Sequence, residues 1–160
     1  MIPFNADEVF EMAEQIERNG AKFYQKASRR AAGRTAAALL KLADMELQHE
    51  KTFHDMRRSM TAEQLEPTGF DPEGQAVAYL RAAADGKVFD ISADPAEKLT
   101  GKESIREIIT TAIGFEKDSI LFYVGIKDVV PASRDRDKID EIIRQEMGHI
   151  ATLNEELAAC

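Results

Sequence analysis

Two four-residue motifs, Glu46-Leu47-Gln48-His49 and Glu146-Met147-Gly148-His149, use two of the chain's three histidines. In an α-helix a glutamate and a histidine three positions apart lie on one face, about a turn apart, so both side chains can reach one ion. Mixed carboxylate and imidazole donors suit iron or manganese, whereas zinc more often takes closed nitrogen and sulfur sets. One such motif alone carries little weight, because charged helical proteins are rich in glutamate and such pairs usually decorate a solvated face. Two motifs, each standing where a core residue should be, predict a two-metal site inside the fold.

Four helices must position them. Phe10, Ala13, Gly20, Tyr24 and Ala27 recur at intervals of three and four, with Glu17 filling one slot, and predict helix A over about 6–31. Asn5 and Glu8 resemble a capping box, Gly33 is a stop, and Thr35 is placed to cap the next helix. Helix B, about 36–60, carries the stripe Leu39, Leu42, Glu46, His49, Phe53, Met56. Pro67, Gly69, Pro72, Gly86 and Pro95 interrupt the pattern over 61–101, a crossover with a short helix over Pro72 to Ala84 capped by Asp71. Helix C, about 102–130, opens on a Thr100/Glu103 capping box, reads Ile105, Ile109, Ala112, Glu116, Ile120, Tyr123, and is ended by Pro131. Helix D, about 134–158, follows Ser133 as N-cap and reads Ile139, Ile142, Glu146, His149, Leu153. The short A–B and C–D connections force antiparallel hairpins, and about forty residues between B and C suffice to run the length of a bundle. The expected fold is all-α, a four-helix bundle of two antiparallel hairpins joined by a long B–C crossover, with residues 1–160 forming a single domain.

The hairpins resemble each other. Glu17 and Glu46 are 29 positions apart, Glu116 and Glu146 are 30 apart, and a Phe-Tyr pair, Phe23-Tyr24 or Phe122-Tyr123, follows each lone glutamate by two helical turns. Burying one unpaired carboxylate costs several kcal/mol, comparable to the stability of a whole domain, so four glutamates on apolar stripes need compensation. Two divalent cations balance four carboxylates, leaving His49 and His149 as neutral ligands. The expected metal ligands are therefore Glu17, Glu46, His49, Glu116, Glu146 and His149. Tyr24 and Tyr123 lie on the ligand-bearing faces, where each hydroxyl can bond a ligating carboxylate or pass a proton or electron. His54, five residues after His49, falls on another face and is expected at the surface, paired with Glu50. Glu14 and Glu50 sit one turn from proposed ligands and are expected to face solvent, with a role as extra carboxylates beside the site as the alternative.

A net charge of −8 offers no basic stripe, so neither nucleic acid nor an anionic membrane is an expected partner. The first residues carry acidic groups early and no long apolar run exists, which predicts no signal peptide and no membrane span. One cysteine, Cys160, provides neither a disulfide framework nor an iron–sulfur centre, which points to a reducing cytoplasm and an external electron donor. Apolar positions left exposed on amphipathic helices point to a homodimer.

The set Glu17, Glu46, His49, Glu116, Glu146 and His149 resembles the ferritin-like superfamily and, within it, the rubrerythrins, over nearly the whole chain. That resemblance implies a ferritin-like bundle holding two iron ions, with manganese as an alternative, and a non-haem peroxidase that reduces hydrogen peroxide with electrons from a donor such as a rubredoxin-like protein. Two features depart from the pattern. These 160 residues hold no Cys₄ set of the rubredoxin-like kind, and Ser119 stands where a second helix C glutamate is expected, one turn after Glu116. A ferroxidase or iron-handling protein, using dioxygen, and a non-enzymatic metal or redox sensor are the alternative functions.

Overall fold

The computed structural model describes residues 6–60, 75–84, 94–129 and 135–160. Five α-helices and one short 3₁₀ helix make up these segments: α1 (Ala6–Ser28), α2 (Gly33–Arg58), α3 (Gln75–Ala84), the 3₁₀ turn (Pro95–Lys98), α4 (Ile105–Val129) and α5 (Asp135–Ala159). Helix α1 packs against α2 and α4, and α5 packs against α4 and α2, closing a four-helix bundle.

The apolar core falls into two clusters at opposite ends of that bundle. One joins Phe10, Phe53, Met56, Phe122, Ile126, Ile139 and Ile142, from the start of α1, the end of α2, the end of α4 and the start of α5. The other joins Phe23, Ala27, Leu39, Leu42, Ile109, Ala112 and Leu153, from the opposite ends of the same helices. Chain directions follow from this: α4 enters the bundle at the end where α2 began, so the crossover runs its full length. Leu80 of α3 belongs to the first cluster and Leu99, just after the 3₁₀ turn, to the second, which marks both ends of that path. The crossover is pinned where Tyr79 donates a hydrogen bond to the Leu121 carbonyl at 2.8 Å. A Cβ at Gly125 would lie 2.7 Å from the Tyr79 ring, so only glycine permits this approach of α3 to α4.

Several helix ends differ from the sequence expectation. Helix α1 ends at Ser28 and α2 begins at Gly33, about three residues earlier in each case than the periodicity suggested. Gly33 does break the chain, with φ +56°. Thr35 does not cap α2: its N-cap is Ala32, which has no side-chain acceptor. Thr35 instead donates to Glu156 Oε2 at 2.6 Å, and Arg34 reaches Glu156 Oε1 at 2.8 Å. A buried carboxylate from α5 thus supplies negative charge beside the positive end of α2, which explains why no local cap is needed.

Helix α4 starts one capping box later than expected. Glu103 accepts from the Thr100 amide at 2.9 Å, but the reciprocal box is made by Ser104 and Glu107, with the Glu107 amide on Ser104 Oγ at 3.2 Å and the Ser104 amide on Glu107 Oε2 at 2.8 Å. Two overlapping Ser/Thr-x-x-Glu patterns compete here, and the one adjoining the apolar stripe sets the start. The proposed caps Asn5, Asp71 and Ser133 and the stop Pro131 lie outside the described residues, as does the start of the expected short helix at Pro72.

Candidate metal centre

Between the two apolar clusters lies a polar layer. Glu17 of α1, Glu46 and His49 of α2, Glu116 of α4, and Glu146 and His149 of α5 are all buried there, none more than 5% exposed. Their ligand atoms converge into two groups, Glu17, Glu46, His49 and Glu146 in one, and Glu46, Glu116, Glu146 and His149 in the other, each with its atoms within 4.8 Å of one another. Glu46 and Glu146 belong to both. The structure therefore brings all six sequence-predicted residues together, with one glutamate and one histidine particular to each half and two glutamates shared.

The imidazoles point Nδ1 inward. His49 Nδ1 lies 2.8 Å from Glu146 Oε1 and 3.4 Å from Glu17 Oε2. His149 Nδ1 lies 2.9 Å from Glu146 Oε2, 3.1 Å from Glu46 Oε1 and 3.5 Å from Glu116 Oε1. The two rings are nearly parallel, at 18°, with centroids 5.5 Å apart. The tyrosines cross between hairpins: Tyr24 of α1 donates to Glu116 of α4, and Tyr123 of α4 donates to Glu17 of α1. Both tyrosines are themselves buried. Glu17 thus keeps Oε1 on a phenol from the other hairpin and turns Oε2 toward His49, whereas Glu116 presents the same Oε1 to Tyr24 and to His149.

The electrostatics describe a site under strain as it stands. Burial, then repulsion from Glu146, raises the Glu17 carboxyl, while burial, then repulsion among neighbouring carboxylates, pushes Glu46 and Glu116 well above the usual range. Burial also opposes the charged form of Glu146, but pairing with His149 and His49 outweighs it and holds that carboxyl far below its usual value. Burial would lower both imidazoles, yet the facing carboxylates raise His49 to about 11 and His149 to about 12. Burial and the adjacent glutamates keep both phenols protonated.

Those carboxylates and imidazoles fit a pair of metal ions. Glu17 Oε2, Glu46 Oε1, both Glu146 oxygens and both Nδ1 atoms are buried and have no aligned hydrogen-bond partner among the described residues. Native interiors rarely leave polar atoms in this condition, and ion binding would satisfy all of them at once. The donor set, four carboxylates and two neutral imidazoles, balances two divalent cations. Backbone shape cooperates at Gly20, where a Cβ would sit 2.9 Å from Glu46 Oε2, so glycine makes the room that this shared carboxylate occupies.

A match to the rubrerythrin family extends over residues 8–157. The chain belongs to the rubrerythrin family. Its fold is also that of a Thermotoga maritima protein provisionally assigned to the ferritin-like diiron-carboxylate proteins, with a TM-score of 0.78 and 24% identity over 99% of this chain and 97% of that one. No curated protein matches the chain. In this rubrerythrin-family chain, the buried Glu/His cluster is the candidate di-metal site.

The surroundings correct the sequence reading in three places. Glu14 does not face solvent: it is 5% exposed, with Arg57 Nη1 at 3.6 Å and Arg18 Nη2 at 3.9 Å. Glu50 is only half-buried, but it is held by Arg18 Nε at 2.9 Å rather than left in water. His54 is at the surface as expected, yet its Nδ1 lies 3.5 Å from Glu14, not beside Glu50. The arginines made the difference, since a guanidinium from a facing helix lets a carboxylate be buried that periodicity alone would put outside. Two more residues escaped notice. Glu156 continues the α5 stripe three positions after Leu153, a signal that was present in the spacing. Gln145, whose Oε1 lies 2.7 Å from His49 Nε2, had none, because it adjoins a stripe without belonging to it.

Ser119, in the place of a further carboxylate, is buried and donates to the Phe115 carbonyl at 3.0 Å, one turn back along its own helix. Among the described residues no helix is long and apolar enough to cross a membrane.

Proposed function

We propose that the chain, acting as one domain over residues 1–160, is a non-haem di-iron oxidoreductase that reduces hydrogen peroxide with electrons from an external donor. The observation that carries this reading is the buried constellation itself: six ligand-type side chains in two groups that share Glu46 and Glu146, with unpartnered inward atoms on all of them but Glu116. Two iron ions held there would supply two electrons, the number that converts one peroxide and two protons into two waters. Glu17 and His49 would hold one ion and Glu116 and His149 the other, with Glu46 and Glu146 available to both; manganese is the alternative metal.

The remaining side chains prepare the site. Tyr24 and Tyr123 fix the orientation of Glu116 and Glu17 and keep a proton at each phenolic oxygen, available to a reacting oxygen species. Phe53 packs on Tyr123 with centroids 4.9 Å apart, and Phe23 packs on Tyr24 at 5.6 Å, so aromatic walls limit water on both sides. A single cysteine in these 160 residues cannot build an electron-transfer centre, which supports a separate donor such as a rubredoxin-like protein and a reducing, cytoplasmic setting. Exposed Leu40, Leu47, Leu121, Val124 and Met147 support a homodimer.

Ser119 favours a second reading, a ferroxidase or iron-handling protein that uses dioxygen, because its hydroxyl is turned onto the helix where the peroxidase pattern expects a carboxylate. Rapid mixing of the Fe(II)-loaded protein with each oxidant separates the two. Oxidation at least tenfold faster by peroxide than by dioxygen supports the peroxidase, and the reverse preference moves the assignment to the ferroxidase. Bound metal that reacts with neither oxidant would instead indicate a sensor.

A further inference from the structure

The ligands repeat almost perfectly between the hairpins, but what stands behind the two histidines does not. His49 Nε2 lies 2.7 Å from Gln145 Oε1, and the Gln145 amide nitrogen in turn donates to Glu141 Oε1 at 3.1 Å. Glu141 is an acceptor, so it fixes the amide with its oxygen toward His49. That oxygen can only accept, which requires the proton of neutral His49 to sit on Nε2 and leaves the Nδ1 lone pair facing Glu17 and Glu146. His149 Nε2 is buried and has no hydrogen-bond partner among the described residues. The position that stands to His149 as Gln145 stands to His49 is Met45, one residue before Glu46, whose side chain offers at most a weak sulfur acceptor.

We propose that the two metal positions are inequivalent, and that Gln145 is the positioning residue that makes the Glu17/His49 position fill first. The proposal rests on the two-metal reading above. A ligand histidine whose other nitrogen is hydrogen-bonded binds with its tautomer and ring orientation already set, and losing such a partner typically costs about 10–100-fold in metal affinity. Glu146 faces His49 at 2.8 Å and His149 at 2.9 Å, so that shared carboxylate favours neither. The difference must come from what is not shared.

Nitrogen-15 NMR of the three histidines in the full chain, supplied with one equivalent of Zn(II), reads this without any activity. The expected result is at least about tenfold greater occupancy at His49 than at His149. In Gln145→Met that preference is lost or reversed, and in Met45→Gln it shrinks because His149 gains an acceptor. Equal response of both histidines in the unmodified chain, a first response at His149, or a preference untouched by both substitutions overturns the proposal while leaving the two-metal reading intact. Should Gln145→Met fail to fold, Met45→Gln alone decides. Response of neither histidine, even at excess Zn(II), overturns the two-metal reading and this proposal with it.

Discussion

The α1–α2 and α4–α5 hairpins contribute the same side chains to the centre, a lone glutamate, a Glu-x-x-His pair and a tyrosine, and then differ in nearly everything around them. On the first hairpin, the turn before Glu17 holds buried Glu14 among Arg18 and Arg57, and the turn after it holds Gly20. On the second, Ile113 and Ser119 occupy those places. His49 has Gln145 behind it, while His149 has no such partner among the described residues. Ligand identity is constrained by charge and coordination, so it repeats; the surroundings need only pack, so they diverge. Symmetry in this molecule belongs to the first layer of atoms, and its differences begin one layer out.

Removing shared and unshared carboxylates should break the comparison most. Glu146 faces both imidazoles at 2.8 and 2.9 Å, so Glu146→Gln is expected to abolish tight binding at both positions, a loss greater than about 100-fold, beyond that typical of residues behind a ligand. Glu17→Gln should spare the Glu116/His149 position. Calorimetry with Co(II) separates these outcomes.

Next in size is the contrast between Gly20 and Ser119, each three residues after its lone glutamate. Gly20→Ala sets a methyl group 2.9 Å from Glu46 Oε2, an overpacking worth about 1–3 kcal/mol, and should weaken metal binding about tenfold. Ser119→Ala loses only a bond back to its own helix and should leave affinity within about twofold.

The tyrosine pair tests symmetry directly. Tyr24→Phe and Tyr123→Phe each strip a hydrogen-bond donor from a buried carboxylate, so each should lower stability by about 1–3 kcal/mol, by nearly the same amount, in denaturant titrations. Unequal losses would show that the asymmetry reaches the ligands.

The smallest effect is that of pH on the metal-free chain. Raised His49 and His149 stabilise the fold below the ordinary imidazole value near 6.5, and that contribution fades as pH rises toward about 11 and 12. Raised Glu17, Glu46 and Glu116 act in the same direction, because the folded state holds protons that the unfolded chain has released. The metal-free melting temperature should therefore fall between pH 6.5 and 9. Metal affinity should climb over the same interval, since binding displaces the imidazole protons.

Much of this was legible in the chain. Glutamates at 17, 46, 116 and 146 are conspicuous because they interrupt apolar stripes, and interruptions of a regular pattern reveal both the helix face and the need for compensation. Helix starts were less legible: Thr35 looks like a cap, but α2 takes its negative charge from Glu156, about 120 residues away. Glu14 and Gln145 share that difficulty. Each is placed by a partner on another helix, Arg57 for one and His49 for the other, and periodicity within one helix carries no information about such pairings.

The central claim is that the two groups around Glu46 and Glu146 would hold two ions. Anaerobic loading with Fe(II), followed by removal of loose metal and elemental analysis, tests it most directly. The account predicts two irons per chain, one in Glu17→Gln and in Glu116→Gln, and fewer than one in Glu146→Gln. A count near zero in the unmodified chain, or a Glu146→Gln chain that still holds two, would contradict it.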